Sequence, residues 1–155
     1  MTTTFHDEVQ AMRQAYPDPR SAVLPALRLA QERNGGWLSE GTLREVAEAL
    51  ELTPAYCDSI ASFYDMFHTE PVGRHLVEVC TNVSCALSGA QAVVETFERE
   101  LGISIGETTE DDGVTLRAVE CLGGCGWATV VALDNRHRLH VRAADVAGIV
   151  GELRE

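Results

Sequence analysis

Two cysteine pairs at unequal spacing limit what this chain can fold into. "CTNVSC", residues 80–85, is a C-x4-C arrangement, and "CLGGC", residues 121–125, is C-x3-C. Each pair follows an alternating apolar run, "HLVEVC" before the first and "VTLRAVE" before the second. Alternation at period two marks a strand, with successive side chains on opposite faces. The fold must therefore bring two strand-to-loop junctions together, or leave four thiols on unrelated loops.

The surroundings of the chain decide how those thiols are read. The N-terminus "MTTTFHDEVQ" has neither a basic region followed by an apolar stretch nor an Arg-rich, acid-poor character. No leader or transit segment is expected from it. No run of 18 apolar residues suggests a membrane-spanning helix. A reducing cytoplasm is the expected compartment, where structural disulfides are disfavoured and metal ligation gains weight. Twelve basic against twenty-four acidic residues give a net charge of −12. That balance argues against a general nucleic-acid binder, which must replace counterions on phosphate with cationic side chains. It is compatible with steering towards a positively charged protein surface.

The first seventy residues read as helices. Residues 5–15 form a short one, stopped by "YPDP", because proline removes a donor and clashes with the preceding turn. Residues 21–33 follow, with Val23, Leu27 and Ala30 on one face and Asn34-Gly35-Gly36 as the stop. Leu43, Val46, Ala47 and Leu50 recur at i, i+3, i+4 and i+7. Thr53-Pro54 supplies an N-cap and a first-turn proline for a further helix, with Tyr56, Ile60 and Phe63 as its apolar stripe.

At "EPVG", residues 70–73, the pattern changes. A strand over 75–80 is followed by a helix over 88–101, with Val93, Val94, Phe97 and Leu101 as its buried face. Strands over 114–120, 128–134 and 138–141 come next, the last two joined by the turn "DNRH", and a closing helix spans 144–153. With the short 138–141 strand left out of the count, the order is β-α-β-β-α, a compact thioredoxin-like layer behind a helical unit. A crossover helix makes the first two strands parallel, and a hairpin makes the last two antiparallel.

In that topology Cys80 and Cys85 bracket the loop after the first strand, and Cys121 and Cys125 the loop after the second. Parallel neighbours would release both loops at one sheet edge, despite the 35 residues between Cys85 and Cys121. Zinc accepts four thiolates, commonly through tighter C-x-x-C knuckles. The wider pairs suit a larger object, such as two irons bridged by two sulfides. A [2Fe–2S] cluster is thus placed ahead of zinc, and both ahead of inert cysteines packed as small hydrophobes. No C-x-x-C redox dithiol is present. Gly123, Gly124 and Gly126 would let backbone amides approach sulfur, and Thr81, Asn82 and Ser84 could add polar contacts.

These residues carry a family resemblance. "SAVLPALRLAQERNGGWL", "SFYDMFHTEPVGRHLVEVC", "ELGISIGETTEDDGVTLRAVECLGGC" and the C-x4-C…C-x3-C frame resemble the 24 kDa-type [2Fe–2S] subunit of respiratory complex I, the NADH:quinone oxidoreductase, over nearly the whole length. The resemblance implies an α/β chain: an N-terminal helical bundle, residues 1–72, then a thioredoxin-like [2Fe–2S] ferredoxin domain, residues 73–155. It implies that Cys80, Cys85, Cys121 and Cys125 ligate one [2Fe–2S] cluster and that no residue acts as acid, base or nucleophile. It further implies docking on the FMN-bearing, NADH-oxidising subunit, with a peripheral place on the cytoplasmic face of the bacterial inner membrane and no insertion into it. The same module occurs in NAD-linked hydrogenases and formate dehydrogenases, which gives a second reading. A zinc-stabilised interaction or regulatory module gives a third, of a different class. One departure stands out: family members usually carry Ala-Pro where this chain has Ala128-Thr129, and threonine restores a backbone N–H that proline lacks.

Cys57 falls inside a predicted helix, away from both loops, and is expected to pack rather than ligate. The five histidines show no paired spacing for a second metal. Trp127, beside the second loop, either shields it, meets a partner or packs in the core. The helix pair over 43–64 resembles a DNA-binding helix-turn-helix. From Ser39 to Asp65, however, the chain holds six acidic residues against one Arg. Such a recognition helix would be a poor phosphate partner, so a grip on protein is the better reading.

Overall fold

A computed structural model describes residues 4–154. The chain divides into two compact units, one ending at Pro71 and one beginning at Val72.

The first unit is helical. Its α1 (Phe5–Gln14) opens on a reciprocal cap: the Asp7 N–H donates to Thr4 Oγ1, and Asp7 accepts the Thr4 N–H at 3.1 Å. A 3-10 turn (Pro19–Ala22) leads into α2 (Val23–Arg33), later in onset than residue 21 because Asp18 and Pro19 start a tighter turn first. Ser39 caps α3 (Glu40–Leu50) and Thr53 caps α4 (Pro54–Phe63), each accepting an N–H of the first turn. Val9, Ala26, Leu27, Ala30, Val46, Leu50 and Cys57 make one core. Of the expected stripe of α4, Tyr56 and Ile60 pack partly buried against the core, whereas Phe63 is exposed; Cys57 and Ala61, about one turn apart, are the fully buried residues. Small side chains take the face of α4 that joins the core, and the bulky ring is left outside.

The second unit is a four-stranded sheet in the order β2-β1-β3-β4, with β1 His75–Cys80, β2 Val114–Val119, β3 Val131–Leu133 and β4 Arg136–Arg138. β1 runs parallel to β2 and antiparallel to β3, and β3 and β4 are antiparallel. Val77, Val79, Leu116, Val131 and Leu133 face α6 (Ala90–Leu101) and α7 (Val146–Leu153), whose Val93, Phe97, Val146 and Val150 complete the core.

The larger departures from expectation lie around the cysteine segments and in the hairpin. The helix expected over 88–101 is α6, starting at Ala90 after Gly89 at φ 96°, and a five-residue α5 (Val83–Leu87) that was not expected precedes it. The third strand begins at Val131, because residues 125–127 wind into a 3-10 turn whose C-cap is Ala128; the Ala128–Thr129 peptide is cis. The fourth strand lies at 136–138 instead of 138–141. Asp134 and Asn135, at φ 49° and 63°, make a two-residue turn where four residues were expected. Both residues in the left-handed region is the signature of the tight hairpin turn that matches strand twist.

Candidate metal centre

Cys80 is the last residue of β1 and pairs in register with Val119, the last residue of β2. The two chains therefore leave the sheet side by side. The Thr81 N–H still donates to the Val119 carbonyl at 2.9 Å, and the Cys80 thiol lies 3.6 Å from the Glu120 carbonyl. Cys85 sits within α5, and Cys125 opens the 3-10 turn Cys125–Trp127. Both were expected on loops; each is instead held by a short helical turn, which fixes the direction of its side chain. Cys80 and Cys85 are buried, whereas Cys121 and Cys125 are exposed.

The thiols act on one another electrostatically. Burial pushes the Cys80 thiol up, but the N–H groups of Leu122 and Asn82 and the thiols of Cys85 and Cys121 outweigh it, leaving Cys80 below the ordinary cysteine range. Burial raises Cys85, the Val130 N–H opposes this, and the proximity of Cys80 and Cys125 adds to the rise. Among the described residues no group of three or more His, Cys, Asp or Glu side chains is arranged to hold one metal ion.

Amide donors surround these sulfurs. The Gly123 N–H donates to Cys121 Sγ at 3.3 Å, and Cys80 receives the amides named above. An anionic, sulfur-rich group is what such donors stabilise. The polar side chains of the first loop have other roles: Thr81 Oγ1 donates to the Val119 carbonyl at 3.2 Å, and Asn82 Oδ1 accepts the Val83 N–H at 2.8 Å, capping α5. The Leu122, Asn82 and Val130 amides were missed in the sequence, since any residue but proline carries that donor and only the fold aims it. Cys57 lies in the core of the first unit, where burial raises its thiol. Trp127 is exposed, so core packing is excluded for it.

The glycines of the second loop separate by cause. Gly123 has φ 73°, a left-handed conformation that costs a side chain about 1 kcal/mol or more. A Cβ on Gly124 would lie 2.8 Å from Cγ2 of fully buried Val130. A Cβ on Gly126 would meet nothing within 4 Å. Gly124→Ala is therefore expected to cost about 1–3 kcal/mol by overpacking, and Gly126→Ala close to nothing. Urea unfolding of the two variants side by side checks the contrast; equal midpoints would remove the steric role given to Gly124.

Similarity to known proteins agrees with this geometry. An NADH-quinone oxidoreductase subunit of Rhizobium meliloti is 40% identical over 151 residues, covering 97% of this chain and 89% of that protein. An NADH-quinone oxidoreductase subunit of Pseudomonas aeruginosa is 32% identical over 150 residues, covering 97% and 90%. Among solved structures, an NAD+-reducing [NiFe]-hydrogenase in its air-oxidised state shares the fold at TM-score 0.72 and 22% identity, over 83% of this chain and 22% of that one. The profile of the thioredoxin-like [2Fe–2S] ferredoxins spans residues 9–154. With four cysteines on two loops that leave a parallel strand pair at one edge, the chain belongs to the thioredoxin-like [2Fe–2S] ferredoxin family, whose cofactor is a two-iron, two-sulfide cluster.

Proposed function

We propose that this chain is an electron-transfer subunit of an NADH:quinone oxidoreductase, holding one [2Fe–2S] cluster on Cys80, Cys85, Cys121 and Cys125 and exchanging electrons with the FMN of an NADH-oxidising partner subunit. The observation that carries the reading is the pairing of Cys80 with Val119 across parallel strands, which sends both cysteine loops out at one edge. The family membership and the two relatives named above support it. When bound, such a cluster supplies reversible one-electron chemistry.

The chain's own part is to hold and insulate. Cys80 and Cys85 are covered by Ala90, Val130 and Leu122, which keeps water from one side of the thiols. Cys121 and Cys125 are open, and exposed Val83, Leu87, Trp127 and Leu139 stand on the same segments or next to them. Exposed apolar side chains grouped in this way suit a protein partner. In this reading residues 1–72 are a helical domain that grips a partner and residues 73–155 the ferredoxin domain. Among the described residues no helix is long and apolar enough to cross a membrane; the proposed place is peripheral, on the cytoplasmic face, through the other subunits.

The fold shared with the NAD+-reducing hydrogenase supports a second reading, the equivalent subunit of an NAD-linked hydrogenase. Affinity purification of the tagged chain from its host separates the two. Co-purification of an FMN-bearing NADH-oxidising subunit with quinone-reducing membrane components is expected, and a nickel-containing partner would establish the second reading instead. The purified chain is expected to be brown, with about two irons and two acid-labile sulfides. A colourless chain with one zinc would overturn both.

A further inference from the structure

Among the described residues, one buried side-chain polar atom lacks any hydrogen-bond partner: Oγ1 of Thr129. The residue is 1% exposed. A hydroxyl sealed from water without a partner costs about 1–3 kcal/mol, and native structures hold few such atoms without a cause such as a redox group or an ion.

Its position narrows the cause. Ala128 and Val130, on either side of it, both pack with Cys80 and Cys85. The Val130 carbonyl accepts the Cys80 N–H at 3.1 Å. Gly124, between the other two cysteines, abuts the Val130 side chain. Thr129 is thus placed on a three-residue segment in touch with both cysteine loops. Its carbonyl accepts the Val141 N–H at 2.9 Å, which anchors the segment from the far side. A threonine hydroxyl can donate one hydrogen and accept through two lone pairs; the chemistry gathered on this side of the sheet is sulfur, which takes the donated hydrogen.

We propose that Thr129 is a positioning residue for the cluster, its hydroxyl, which meets no cysteine sulfur of the chain itself, donating a hydrogen bond to a sulfur of the bound cluster. This role rests on the four-cysteine ligand set of the proposed function. A donor to sulfur stabilises the more negative, reduced state more than the oxidised one, so it raises the reduction potential. Threonine in place of the proline usual at this position would then have added a donor that proline cannot supply.

Redox titration of the iron-loaded protein, followed by the electron spin resonance of the reduced state, tests this in Thr129→Val and Thr129→Ser. Valine keeps the shape and removes the hydroxyl; serine keeps the hydroxyl. The valine variant is expected to lose about tenfold in its one-electron reduction constant, which is about 59 mV more negative, with serine within about threefold of the wild type. The Fe–S stretching bands of the wild type are expected to move on exchange into deuterated water by more than those of the valine variant. If valine folds but fails to load while serine loads, the hydroxyl is again required. An unchanged potential in valine, equal shifts in valine and serine, or failure of both to load overturns the inference, and a water satisfying the hydroxyl would give the first of these. A wild type that carries no two-iron cluster at all would instead sink the ligand assignment.

Discussion

Cys121→Ala is expected to lower cluster affinity by more than about 100-fold, beyond the roughly 10- to 100-fold typical when only a supporting contact is lost. The variant should purify nearly colourless while its far-ultraviolet circular dichroism stays that of the wild type. The effect is local. Cys121 is exposed, belongs to neither large core, and its sulfur accepts the Gly123 amide. Removing it therefore removes a proposed ligand and little else. Cys121→Ser is the milder test: an alcohol oxygen is a harder and less acidic ligand than a thiol, so the visible bands should shift even where iron is retained. Cys57→Ser supplies the control, because that thiol lies in the core of the first unit. It is expected to leave the visible spectrum intact. A Cys121→Ala protein with full iron content and an unshifted spectrum would reject the assignment.

Phe97→Ala should be the most damaging single change to the second unit. The ring is fully buried in α6 and packs with Val77, Val79, Leu116 and the closing helix. Truncating a buried phenylalanine costs about 3–5 kcal/mol, through lost transfer energy and the cavity left behind. A domain of this size holds about 5–15 kcal/mol in all, so the variant should stand near the edge of folding. Thermal bleaching of the visible absorbance is the readout, and a large fall in midpoint temperature is expected. Phe63→Ala is the matching surface control: that ring is 76% exposed, and its removal should move the midpoint little. A Phe97→Ala midpoint as high as that of Phe63→Ala would mean that the core is centred elsewhere.

Both predictions join features that were legible in the chain to features that were not. The capped helix starts at Ser39 and Thr53, the buried face of α6, the strand His75–Cys80 and the parallel pairing of β1 with β2 all follow from short-range rules. Caps depend on one side chain reaching the next turn, strand faces on alternation, and parallel pairing on the need for a crossover between the two strands. The convergence of two cysteine loops at one edge was open to inference for the same topological reason.

Other features were decided by partners distant in sequence. Asn82 caps a five-residue helix that no apolar period announces. Phe63 is left outside while Cys57 and Ala61, on the opposite side of α4, join the core of the first unit. Cys80 and Cys85 are sealed while Cys121 and Cys125 stay open, and Thr129 ends up buried with its hydroxyl unspent. Residue types and spacing along the chain determined the family, the strand pairing beside the cysteines and the kind of group they suit. Which sulfurs are shielded, which amides point at them and why Gly124 differs from Gly126 were decided by tertiary packing, since burial and van der Waals overlap are properties of pairs brought together from separate stretches of chain.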